Sequence, residues 1–153
     1  MNEVLDSSLN PACIKLELSA TNRDAAIAEL VGLIHATHHL RNPEEALQAV
    51  MDREQVMSTS LENGIAVPHG KAASVDRVLV AVGLKKKGID FKSADGQKSK
   101  IIILILSSAS QSGPHVRCLA EIGRLLQSEE NRKKILEAAN TETVFNILVD
   151  RKD

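Results

Sequence analysis

The sequence predicts an α/β fold, a single mixed β-sheet flanked by helices on both faces. Three observations carry this. Val78 to Leu84 and Ile101 to Leu106 are dense aliphatic runs, short enough for strands and apolar enough to be buried. Other stretches place apolar residues at helical spacing behind polar residues that can cap a helix. The resulting order, β-α-α-β-β-β-α-α-α, suits a sheet covered on both sides.

Each element has a local reason. Cys13 to Leu18 alternates apolar and charged residues, the pattern of a half-buried strand. Thr21 or Asn22 can cap the next helix, where Ala26, Ile27, Leu30, Leu33 and Ile34 share a face. Asn42-Pro43-Glu44-Glu45 supplies a cap, a first-turn proline and acids beside a helix N-terminus. That second helix runs to about Gln55. The polar segment Ser58 to Gly64 can reverse the chain and leads into Ile65-Ala66-Val67, a short strand that Pro68 ends.

Val78 to Leu84 reads as a strand and Lys85-Lys86-Lys87-Gly88 as a basic turn. Ile89 and Phe91 can form a short edge strand, and Asp95-Gly96 marks a turn. Ile101 to Leu106 is the central strand, and Ser107 to Gly113 a loop of small residues. His115 to Gln127 is an amphipathic helix with Val116, Leu119, Ile122, Leu125 and Leu126 on its apolar positions. Helices over about 129–139 and 141–149 complete the chain, the last capped by Thr141. No repeat or linker divides the sequence, so residues 1–153 read as one domain.

Composition narrows the function. A chain of 153 residues buries roughly 70% of its unfolded surface without a disulfide or metal staple. Phe91 and Phe145 are the sole aromatics, so the core is aliphatic and stacking platforms for single-stranded nucleic acid are lacking. The net charge of -1 provides no basic field for nucleic acid. Cys13 and Cys118 sit in apolar surroundings outside any CxxC or zinc pattern, and read as core residues of a protein in a reducing cytoplasm. The first residues have neither a basic start nor a long apolar run, so no secretory leader is expected. No apolar run approaches the 20 or so residues of a membrane helix, so no direct membrane insertion is expected.

The stretch with the most chemical content is Gly64-Ile65-Ala66-Val67-Pro68-His69-Gly70-Lys71. It presents His69 at a strand end, with Gly70 removing bulk beside the imidazole. An imidazole with a pKa near 6.5 is substantially neutral and nucleophilic at physiological pH. If one ring nitrogen donates to a backbone carbonyl, the other becomes the attacking atom.

Arg53-Glu54, Leu61 and Ile65-Ala66-Val67-Pro68-His69-Gly70, followed by a histidine opening a helix at His115, resemble the type 2 enzyme IIA domains of the phosphoenolpyruvate–sugar phosphotransferase system. This is the fructose/mannitol class, and the nitrogen-regulatory enzyme IIA proteins share its fold. The resemblance extends loosely over nearly the whole chain and implies a mannitol-type enzyme IIA fold. One position departs: Glu62 stands where the family usually has glycine.

The resemblance implies that His69 accepts a phosphoryl group from the histidine-containing phosphocarrier protein. The group then passes to a cysteine of enzyme IIB, or stays as a mark that regulates binding to transporters, kinases or other targets. It further implies that Arg53 stabilises the phosphoryl oxygens through its planar fork, and that His115 donates a hydrogen bond to the phosphate. Ser58 and Thr59 can add hydroxyl donors. No metal and no organic cofactor is implied.

Other readings compete. His35, His38 and His39 have helical spacing for a metal site, yet no zinc motif accompanies them, and a solvated helix end accounts for them. Lys85-Lys86-Lys87 reads as a solvated turn that can steer an acidic partner. Gly64 and Gly70 form no phosphate loop, since GxxxxGK(S/T) is absent, and Gly70-Lys71 alone is weak evidence for nucleotide binding.

Overall fold

The computed structural model describes residues 1–151. Two long neighbours, β5 (Leu79–Ile89) and β6 (Ser99–Ser107), run antiparallel at the centre of a six-stranded sheet. β1 (Leu9–Lys15) pairs parallel with the far side of β5. On the other side of β6 lie β3 (Ile65–Ala66) and β4 (His69–Lys71), both parallel to it, and β2 (Ser60–Leu61) forms an antiparallel hairpin with β3.

Helices cover both faces, as the sequence predicts. α2 (Arg23–His38) and α3 (Pro43–Val56) pack together, with α2 on β5 and α3 on β4. The other helices are α1 (Glu3–Ser8), α4 (Ser112–Leu126), α5 (Glu129–Glu137) and α6 (Thr141–Leu148). They form a contiguous layer, α1 against α4, α4 against α5 and α5 against α6. The core between the layers is aliphatic, with Ile101 to Leu106 and Val80 to Val82 almost wholly buried. Cys13 and Cys118 are free and buried within it.

Local signals place most helices accurately. Asn22 accepts from Ala25 N at 2.9 Å and Asn42 from Glu45 N at 3.1 Å, so both expected caps form. The last helix is capped differently: Asn140, not Thr141, accepts from Thr143 N at 2.8 Å. α1 was not apparent in the sequence. Its N-terminal amides at Val4 and Leu5 donate to the Glu121 carboxylate of α4, a cap 116 residues distant in sequence from Leu5.

The strands shift more. β1 starts earlier than Cys13, and Leu16 to Leu18 leave it; Leu18 N instead donates to Leu84 O at 2.9 Å. Pro11 lies within β1, which is tolerable because the strand is at the sheet edge and its register breaks between Leu9 and Ile14. Lys85-Lys86-Lys87-Gly88 is no turn; β5 continues through it to Ile89, which pairs with Ser99. Buried Lys85 is accommodated because its Nζ donates to Leu18 O at 2.7 Å and lies 3.5 Å from the Glu17 carboxylate. Gly88, at φ 80°, provides the irregular register before Ile89. Ile89 therefore ends β5, and Phe91 is a buried core residue outside any strand.

The short strand stops before Pro68, as expected, but pairing with β6 resumes just after it. Pro68 lacks an N–H, but its carbonyl accepts from Ile105 N at 3.0 Å, and His69 resumes the ladder opposite Ile105. The polar segment before it reverses the chain as expected, through a hairpin. Asn63 and Gly64, at φ 69° and 77°, supply its left-handed turn, and Glu62 is solvent-exposed there.

Gly70 sets how closely α3 approaches. A Cβ at this position would lie 2.8 Å from Val50 N and 2.9 Å from the Ala49 carbonyl carbon, both backbone atoms. Gly70→Ala is therefore expected to destabilise the fold by about 1–3 kcal/mol, read as a lower urea midpoint. An unchanged midpoint would show that α3 moves away freely.

Candidate functional site

β4 is three residues long and its side chains alternate between faces. Gly70 faces α3. His69 and Lys71 share the opposite face. Lys71 Nζ donates to Ser112 Oγ of α4 at 2.8 Å. One turn along α4, the ring of His115 lies edge-on to that of His69, with centroids 5.3 Å apart and planes at 74°. His69 and His115, 46 positions apart in sequence, thus meet because β4 and the start of α4 sit side by side at the end of β6.

The two rings are held differently. His69 Nδ1 lies 2.9 Å from Val67 O. A carbonyl oxygen can only accept, so Nδ1 carries the proton and Nε2 carries the lone pair. His69 is partly exposed. His115 is 4% exposed, and its Nδ1 lies 2.6 Å from the hydroxyl of Ser107, itself fully buried. Burial first, then the nearby His69 and Lys71, push the His115 pKa down to about 4. It is a neutral ring at physiological pH.

Arg53 stands one turn beyond the α3 residues that touch Gly70. Its Nη1 donates to Met57 O at 2.9 Å. This leaves other N–H groups of its fork uncommitted. Neither hydroxyl weighed at Ser58 or Thr59 is directed at His69. Ser58 Oγ bonds Phe91 O and lies 2.7 Å from Ser60 Oγ. Thr59 Oγ1 donates to buried Glu54 at 2.5 Å, and Thr59 N donates to the same carboxylate at 2.9 Å. Glu54 and Thr59 thus lock the segment whose Thr59 O accepts from Val67 N at 3.1 Å, two residues before His69.

Sequence reasoning left Lys71 and Ser107 without a part in the site. Lys71 had a signal: two residues beyond His69 in extended chain means the same face. Ser107 had none, because its position depends on the Lys71–Ser107 register across the sheet. The three neighbouring histidines go elsewhere: His39 is the left-handed C-cap of α2, and His38 Nδ1 lies 3.1 Å from the Arg77 guanidinium. Among the described residues no three metal-ligating side chains converge, and no helix is long and apolar enough to cross a membrane.

Residues 7–150 match the family described as "Phosphoenolpyruvate-dependent sugar phosphotransferase system, EIIA 2", and the chain belongs to that family. It is 31% identical over 137 residues to the PTS system fructose-specific EIIA component of Haloferax volcanii, covering 90% of this chain and 89% of that one. It is 32% identical over 135 residues to the fructose-specific EIIABC component of Bacillus subtilis, covering 88% of this chain but spanning only 21% of that protein's length. Among solved structures, the nitrogen regulatory protein IIA-Ntr of Neisseria meningitidis superposes with a TM-score of 0.85 at 22% identity, covering 96% of this chain and 97% of that one. At that identity the likeness concerns the fold.

The shifted pKa of His115 has a consequence for stability. An unfolded histidine takes up a proton near pH 6.5, whereas folded His115 resists until about pH 4. The unfolded state therefore binds more protons in that window. The contribution of this group is fully present above pH 6.5 and is lost as pH falls towards 4. His115→Gln is expected to lose less stability than wild type between pH 6.5 and 4 in urea titrations. Equal losses would mean that His115 titrates normally in the folded chain.

Proposed function

We propose that this chain is a phosphocarrier whose His69 Nε2 takes a phosphoryl group from a phosphohistidine donor, the histidine-containing phosphocarrier protein, and gives it to an enzyme IIB cysteine. The observation that carries this reading is the 2.9 Å bond from His69 Nδ1 to Val67 O, which leaves Nε2 as the nucleophilic nitrogen. In the first step the Nε2 lone pair forms a P–N bond while the donor's P–N bond breaks, its electron pair staying on the donor ring. In the second step the acceptor thiolate forms an S–P bond and the electron pair of the P–N bond returns to Nε2. Residues 1–153 act as one such unit.

Phosphoryl transfer depends mainly on position and charge. His115 supplies a neutral donor beside His69, and Arg53 and Lys71 supply fixed positive charge from the α3 and α4 sides. The partner is a protein: Val56, Met57, Leu61 and Val116 are exposed apolar residues on segments adjoining the site. A solved complex of mannitol enzyme IIA with phosphorylated enzyme IIB from Escherichia coli, whose IIA fold matches this chain with a TM-score of 0.81, supports an enzyme IIB acceptor.

A second reading uses the same chemistry with another outcome. The chain is 27% identical over 149 residues to a nitrogen regulatory protein of Escherichia coli. On this reading phosphorylated His69 alters binding to a transporter or kinase. Addition of purified enzyme IIB to the phosphorylated chain separates the two: loss of label from His69 supports the relay, and retention supports regulation.

The central test is a phosphoenolpyruvate-driven labelling assay with the upstream enzymes. His69→Ala is expected to abolish acid-labile label while the chain stays folded, and intact labelling would remove the proposal. His115→Ala is expected to retain labelling but to slow onward transfer about 10²-fold, the scale of one lost oxyanion donor. Transfer at the wild-type rate would limit His115 to packing.

Arg53 is tested by charge and shape. Arg53→Lys is expected to keep partial activity, having charge without the planar fork, and Arg53→Gln to be slower still. Equal rates for wild type and Arg53→Gln in the same assay would confine Arg53 to its bond with Met57 O.

A further inference from the structure

Ser107 ends β6 opposite Lys71, in parallel register, so its side chain leaves the sheet on the same face as Lys71 and His69. That face is where His115 enters. Ser107 is fully buried, and its Oγ lies 2.6 Å from His115 Nδ1. The hydroxyl can serve as donor or acceptor, and the choice decides the tautomer of His115. If His115 Nδ1 carried the proton, the Ser107 O–H would need a different acceptor. Among the described residues it has none. A buried O–H without a partner is costly, so the economical arrangement has Ser107 donating to Nδ1.

We infer that Ser107 is a positioning residue that holds His115 in its Nε2–H tautomer, so that this ring offers a proton where His69 offers a lone pair. The inference rests on the phosphocarrier reading for its consequence, not for its geometry. Val67 O accepts from His69 Nδ1–H, which keeps the proton on Nδ1 and leaves Nε2 bare. Ser107 does the reverse to His115. Two imidazoles 5.3 Å apart thereby present opposite polarity. A phosphoryl group on His69 Nε2 brings oxygens that can only accept, and a neutral Nε2–H donor beside them is matched to that charge. The opposite tautomer would face those oxygens with a lone pair and repel them.

The experiment reads the tautomer directly. Imidazole nitrogen NMR of the unphosphorylated protein is expected to show His115 with protonated Nε2 and unprotonated Nδ1 in wild type. Ser107→Ala is expected to show a mixture or a shift to Nδ1–H, and Ser107→Thr, which keeps the hydroxyl, to restore the wild-type pattern. In the labelling assay Ser107→Ala is expected to accept phosphate on His69 but to pass it on about ten-fold more slowly, the scale of losing a ring's outer partner. Ser107→Thr should recover most of that rate. A wild-type spectrum with Nδ1–H on His115 would overturn the inference even if neither variant folds. So would a Ser107→Ala spectrum and transfer rate identical to wild type. Failure of wild type to label at His69 at all would instead count against the phosphocarrier reading and leave the tautomer assignment to the spectrum.

Discussion

The site depends on two short strands, β3 and β4, that pair parallel with β6 in one register on either side of Val67-Pro68. Ile65 and Ala66 pair with Ile101 and Ile102, and after the Val67-Pro68 step His69, Gly70 and Lys71 pair with Ile105, Leu106 and Ser107. That ladder turns a short sequence motif into a rigid platform. It fixes which side chains face α3 and which face α4, and it sets Val67 O where the His69 ring can donate to it. Proline fits here because the ladder at that point needs only its carbonyl, which Ile105 N uses. Glycine fits because α3 lies in backbone contact with the strand. A larger residue in place of Gly70 would press on the α3 backbone beside the histidine.

Around this platform the electrostatics are divided between layers. α3 brings Arg53 and the Glu54–Thr59 lock, which keeps the preceding segment in place through Thr59 O and Val67 N. α4 brings His115 and the Ser112 hydroxyl that holds Lys71. Burial keeps His115 neutral, so the fold carries no desolvated charge at that position.

Much of the fold was legible because its causes are local. Asn22 and Asn42 cap their helices through the next few backbone amides, and Asn42-Pro43-Glu44-Glu45 contains everything that starts α3. Ile101 to Leu106 is so uniformly aliphatic that only a central strand suits it. Where the signal was misread, a distant partner had overridden it. Lys85 to Lys87 looks like a turn, yet pairing with β6 carries the strand through it and the Leu18 carbonyl takes the buried ammonium. α1 is too short to be detected by periodicity, and Glu121 supplies its cap from another helix. The chain reversal expected over Ser58 to Gly64 is a hairpin, with Asn63-Gly64 as its left-handed turn.

For the site, sequence alone determined the candidate nucleophile. A histidine between proline and glycine after an apolar run is a pattern of neighbouring residues, and His69 is legible there without any tertiary information. Sequence also named His115 and Arg53, through the spacing of a family motif. Only the tertiary structure decided what each nitrogen does. The protonation of His69 Nδ1 follows from a carbonyl two residues away whose orientation is set by the sheet. The role of Ser107 follows from a register between strands separated by more than thirty residues, and from a helix that returns over them. Hydrogen-bond direction is a property of two groups in space, and a linear pattern of residue types carries no information about which groups will meet.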